Sequence, residues 1–147
     1  MPNITLKVGP MTANTDTSKV ALKYALKAPE QMTKAAADTI QTSKELKAIQ
    51  SKKDRTYTFS ATLSEVVFGT RNGQPSVTCR LSGVLSTPNQ FRTDGKEDIV
   101  SGNITGNATT IGGTTDRDVA DCVAGAVEAT INKSVVAGIK DHIDKNP

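Results

Sequence analysis

Two cysteines and one histidine stand out in this 147-residue chain as residues that could carry covalent or metal chemistry. Cys79 and Cys122 could be joined as a disulfide, or remain two buried thiols, since cysteine is among the most buried residue types. Two cysteines with one distant histidine do not make a zinc site, and no CxxC motif is present. Neither a metal nor a cofactor is expected. His142 falls in the last turn of the chain, where a histidine suits the negative end of a helix, so a capping role is expected. A single histidine leaves no Ser-His-Asp or Cys-His arrangement. Glu65 and Asp98 are acids that an enzyme with a loop site could use, but a carboxylate mechanism needs both in one cleft. No catalytic residue is expected.

Other patterns have simpler readings. Thr110-Ile111-Gly112-Gly113-Thr114-Thr115 is a Gly-rich turn before a helix, the setting for phosphate binding. It lacks the P-loop lysine, and Asp116, Asp118 and Asp121 just behind it would repel phosphate. Their spacing does not match a calcium loop either. A dipole-matched cap is expected instead. Glu65 and Arg80 fall on neighbouring strands and should form a surface pair worth little. Sequons occur at Asn3, Asn103, Asn107 and Asn132.

These residues must be positioned by a β-rich centre. Over 56–111, Tyr57, Phe59, Ala61 and Leu63 alternate with Thr and Ser, as do Val77, Cys79 and Leu81, and then Val100, Gly102, Ile104, Gly106 and Ala108 with polar partners. A period of two marks strands with one apolar face. Arg71-Asn72-Gly73-Gln74 should form a type I′ hairpin turn, because Asn-Gly accepts positive φ at both central positions. A longer loop follows at 88–97. The three strands form an antiparallel meander.

Ile4, Leu6 and Val8 predict a first strand over 3–9, ended by Gly9-Pro10, then a loop over 12–18. Residues 19–27 fit a strand or a helix. The Lys19, Lys23, Lys27 spacing favours helix, with Ser18 as a cap. From Pro29 to Lys52 a helix is expected that bends or frays near Thr39, Thr42 and Ser43. Thr115 with Asp118 resembles a capping box. Behind it Val119, Cys122, Val123, Ala126, Val127, Thr130 and Ile131 form an amphipathic stripe that Val135 and Ile139 extend, to about Ile143.

The two helices are the cover available for the apolar sheet face, and Gly102, Gly106 and Ala108 leave room for close approach. The fold class is α+β: one domain over 1–147, a two-layer sandwich with a mainly antiparallel sheet of about four strands and two helices on one face. Cys79 has inward strand parity and Cys122 lies on the inward helical stripe, so a sheet–helix disulfide is the expectation. Such a bond would place the chain in the periplasm or outside the cell, with a leader removed. Free thiols would suit the cytoplasm. The polar face, with Thr58, Thr62, Thr78, Thr105 and Thr109, should be solvated.

The net charge of +3 with lysines spread over the first third argues against nucleic acid. Lys7, Lys19, Lys23, Lys27, Lys34, Lys44, Lys47, Lys52 and Lys53 read as a solvated face. No run of about 18 apolar residues suggests a transmembrane helix, and Met1-Pro2-Asn3-Ile4 does not read as a signal peptide.

The stretches Ile4–Val8, Tyr57–Phe68, Ser76–Ser86, Val100–Ala108 and Asp118–Ile139, in this order, resemble small envelope α/β domains of Gram-negative bacteria. These are the outer-membrane lipoprotein and Tol-type N-terminal domains. The resemblance is architectural and carries over no functional residue. It implies a non-catalytic role in assembly or protein binding. That is the first functional expectation, with a homodimer by edge pairing as one form of it. The alternative is a small-molecule or lipid-binding domain with its pocket between sheet and helices.

Overall fold

The computed structural model describes residues 4–112 and 115–147. Asn3, at the start of the expected first strand, and Gly113 and Thr114 of the Gly-rich turn lie outside the described residues. The fold is α+β, a four-stranded sheet in the order β1-β2-β3-β4: β1 (Ile4–Ala13), β2 (Arg55–Arg71), β3 (Gln74–Thr87) and β4 (Asp98–Ile111). The last three form the expected meander, and β1 runs parallel to β2. A parallel neighbour needs a crossover. Helices α1 (Leu22–Ala25), α2 (Ala28–Thr42) and α3 (Lys44–Lys47) supply it.

Gly9-Pro10 does not end the first strand as expected. The pairing slips between Val8 and Met11, and β1 continues to Ala13. Proline at an edge bulge costs no ladder bond. The 19–27 stretch contains one helical turn, α1, preceded by Ala21. Ser18 does not cap it; its amide and hydroxyl both donate to Asp16 Oδ1. The expected weakness of the second helix is a clean break at Ser43. Its extended backbone stops α2, and its hydroxyl accepts from the Leu46 amide at 3.1 Å to start α3. The same hydroxyl donates to Asn132 Oδ1 at 2.6 Å, which ties the break to the other helical layer.

The hairpin turn forms with positive φ at Asn72 and Gly73. Tyr57, Phe59, Leu63, Val77, Cys79 and Leu81 are buried on one face. A bulge between Leu63 and Glu65 shifts the parity of the strand, placing half-buried Val66 opposite Cys79 and Phe68, which stays 44% exposed, opposite Val77. Gly83 makes room for Phe59: a Cβ there would come within 2.7 Å of the ring.

Helix α4 (Asp116–Thr130) starts with the Thr115–Asp118 capping box. It runs through a π-helical turn (Ile131–Val135) into α5 (Val136–Lys145). The wider turn inserts an extra residue into the helix. It brings Val135 and Ile139 onto the core face, and both are buried. The 30 residues from Asp116 to Lys145 are long and apolar enough to cross a membrane by length and composition alone. Half of the most apolar stretch is buried inside this domain.

Gly106 accommodates Thr130 as expected, since a Cβ there would sit 1.9 Å from Thr130 Oγ1. Ala108 sits under Gly125. Gly102 does not serve this purpose. Register shifts near Leu85 place Ser101 opposite Leu85 and under Gly138, while Gly102 lines a depression on the open face.

Candidate functional site

Cys79 and Cys122 come together. The expected disulfide is not formed between them: both thiols are free, and both are fully buried. The Cys122 thiol lies 3.3 Å from the carbonyl oxygens of Val77 and Ala108. Ala108 is the residue directly opposite Cys79. The neighbouring Cys122, and then burial, push the Cys79 thiol above the ordinary range.

His142 does not cap its helix with its ring. Its Nδ1 is 2.8 Å from the Tyr57 hydroxyl, and the two rings meet edge to face at 5.4 Å. The cap is made by Asn146, whose backbone and side-chain nitrogens both donate to the His142 carbonyl. Burial holds the His142 pKa below its ordinary value, helped by the Arg55 and Lys53 charges and opposed by Asp141. Burial also raises the Tyr57 pKa, against Arg55. Arg55 Nε donates to Ser51 Oγ at 3.0 Å, and its terminal nitrogen donates to the Asn146 carbonyl. Beside this cluster a cavity of about 400 Å³ is lined by Gln50, Ser51, Lys52, Arg55, Ile143 and Asp144.

Glu65 and Asp98 are far apart. Glu65 faces Arg80 and Asp98 faces Thr87, seven positions along β3, or about 23 Å at the usual rise. Glu65 forms the expected pair with Arg80 at 2.7 Å, and meets Lys19 at 3.7 Å. Asp98 belongs to a loop clamp, with Arg92 donating to it at 3.0 Å and to Asp94 at 2.7 Å. Arg92 and the Lys96 amide hold Asp94 at about 2. Asn89, then Arg92, lowers Asp98. Asp116 meets Lys23 at 3.5 Å, and Asp118 is engaged in the cap. Among the described residues no three His, Cys, Asp or Glu side chains group as metal ligands.

On the open face the threonines pair with each other. Thr12 meets Thr62, and Thr78 meets Thr109, each at 2.8 Å. Thr58 Oγ1 is buried without a partner. Of the sequons, Asn103 and Asn107 are exposed and Asn132 is held by Ser43. Asn3 lies outside the described residues.

The feature that residue-by-residue reading missed is the flank of β1, an edge strand. At its N-terminal half, Ile4, Thr5 and Leu6 face Ile40, Gln41, Leu46 and Lys47 across a groove of about 390 Å³. At its C-terminal half, a mostly apolar groove of about 280 Å³ lies between Met11–Thr15 and Val20, Leu22, Ala25, Leu26 and Pro29. Leu22 and Leu26 are 60% and 73% exposed, unusual for leucines beside a core. The signal was present in the sequence: leucines at 22 and 26 fall one helical turn apart, among lysines.

No family model and no curated protein matches the chain. Solved structures similar to it include a hypothetical protein from Chlamydia trachomatis. It is 13% identical, with 99% of this chain and 100% of that chain covered and a TM-score of 0.48. A PelC dodecamer from Paraburkholderia phytofirmans is 16% identical over 89% of this chain and 85% of that one, with a TM-score of 0.44. A lipoprotein candidate from Caulobacter crescentus is 9% identical over 95% and 88%, with a TM-score of 0.40.

Proposed function

We propose that this chain is a non-catalytic envelope or secreted domain that binds another protein, taking an extended apolar segment of it at the free edge of β1. The observation that carries the reading is the pairing of an open strand edge with apolar grooves on its flank. Strand addition needs both parts: main-chain groups give affinity, and pockets for alternate side chains give selectivity.

Lys7 and the Gly9–Pro10 irregularity interrupt the middle of the edge, a common protection against indiscriminate pairing. The C-terminal groove, rimmed by Leu22 and Leu26, is the better seat. The dispersal of Glu65 and Asp98 supports the non-catalytic part of the reading. The location is a separate part of the proposal: Cys79 and Cys122 are free here, and only a closed pair would argue for an oxidising compartment.

Panning a displayed peptide library against the purified protein tests the reading. Peptides with alternating apolar residues should be enriched, and Leu22→Glu with Leu26→Glu should abolish their capture without changing the circular dichroism. No enrichment, or capture indifferent to both changes, rejects the site. Sedimentation at varied concentration separates this from pairing with a second copy, whose β4 edge carries exposed Ile99 and Ile111. The alternative, a lipid or small molecule in the groove between β1 and the α2–α3 layer, would appear as bound mass in a native spectrum.

A further inference from the structure

We propose that Cys79 and Cys122 are a redox pair that closes into a disulfide riveting α4 to the centre of the sheet. The claim is independent of what binds at β1. It rests on where the Cys122 sulfur sits. That atom is within 3.3 Å of main-chain oxygens on two strands, those of Val77 and Ala108. Val77 precedes Cys79 by two on the same face, and Ala108 is paired with Cys79 across the ladder. The helical sulfur therefore stands over the strand step that carries the other sulfur.

A helix on a sheet usually rides too high for this bond, which needs Cα atoms within about 7 Å. Here small residues lower it. Gly106 lets Thr130 approach until an added Cβ would meet the Thr130 Cα at 3.4 Å. Five residues earlier in the helix, Gly125 rests on the Ala108 methyl, where a Cβ would touch at 3.5 Å. Both contacts are made by the half of α4 that follows Cys122. The chain contains no third cysteine to compete.

A low-molecular-weight disulfide such as oxidised glutathione is a sufficient oxidant. One cysteine thiolate attacks a glutathione sulfur and releases glutathione thiolate, forming a mixed disulfide. The second cysteine thiolate attacks the protein sulfur of that adduct and releases the other glutathione. Two protein thiols lose two electrons, the oxidant gains them, and the two protons end on the released thiols. Both cysteines have no exposed surface. Closure therefore proceeds during folding, or when α4 lifts from the sheet, rather than by attack on the closed domain. The reduced form should resist alkylation while folded, because neither thiol has surface exposed to the reagent.

The test is refolding of the unfolded, reduced chain in buffers of graded oxidised-to-reduced glutathione, followed by intact mass and peptide mapping. The expected product is a folded monomer lighter by two hydrogens, with Cys79 and Cys122 in one linked peptide pair. Its Tm should exceed that of the reduced protein by at least about 5 °C, because the closed loop exceeds forty residues. Cys122→Ser should remove both the mass change and the Tm difference. Should that variant fail to fold, the oxidised and reduced wild-type forms decide the matter alone. A folded product with two free thiols at every buffer ratio, or one carrying only glutathione adducts, overturns the proposal.

Discussion

Tyr57 Oη and His142 Nδ1 lie 2.8 Å apart across 85 residues of sequence, joining the start of β2 to the last helical turn. Tyr57 is fully buried and is the largest fully buried side chain of the core. Its hydroxyl is placed where the C-terminal helix ends, and the bond gives a buried phenol the partner it needs. Tyr57→Phe keeps the ring and removes the bond. It should cost about 1 kcal/mol in urea unfolding.

Acidification should loosen the same contact. The folded-state pKa of His142 is depressed, so the unfolded chain takes up a proton first. Stability should be level well above the unfolded value of 6.5. It should fall as pH drops below that value, until the folded His142 is also protonated. His142→Gln should flatten this part of the stability profile. Urea midpoints measured between pH 8 and pH 5 check the sign.

Gly106 is the position most sensitive to one added carbon. Gly106→Ala puts a methyl 1.9 Å from Thr130 Oγ1 and 3.0 Å from its Cβ, and Thr130 is itself bonded to the Ala126 carbonyl. A loss of roughly 2–3 kcal/mol is expected from the overpacking. Gly102→Ala, where nothing is nearer than 3.5 Å, should stay within about 0.5 kcal/mol. Chemical denaturation of the two variants side by side makes the comparison.

Ser43 holds a cap and an interlayer bond with one hydroxyl. Ser43→Ala should cost about 1–2 kcal/mol, and Asn132→Ala about half as much, since it leaves the cap in place. Hydrogen exchange should show the Leu46 amide losing protection in the first variant but not in the second.

The 88–97 loop is clamped by carboxylates. With its folded pKa lowered from 3.8 to about 2, Asp94 contributes to the clamp above pH 3.8 and loses that contribution as pH falls toward 2. Arg92→Gln should return the Asp94 titration toward 3.8 in a carboxyl-detected NMR experiment.

Much of the sheet was legible because period-two alternation and the Asn72-Gly73 turn are local signals. The parallel placement of β1 was not, because pairing between distant segments leaves no local trace. The Gly9–Pro10 stop was misread for a related reason: an edge strand tolerates a proline that a central strand would not. Gly102 was assigned to the wrong face because bulges shift parity without changing residue types. At the candidate sites, shared inward parity placed Cys79 and Cys122 in one buried layer, but the bond expected between them is not formed. His142 was assigned by its distance from the helix end, although Tyr57, waiting at the floor of the core, determines where its ring goes.

The widened turn at Ile131–Val135 makes the last ten residues dependent on chain length as much as on side chains. Deleting a single residue there would restore ordinary winding and swing everything downstream through about 100°. Val136 and Ile139 would then be turned off the sheet, and the imidazole at position 142 would be carried away from its phenol. Homologous chains should therefore vary in residue identity across this segment far more readily than in residue number.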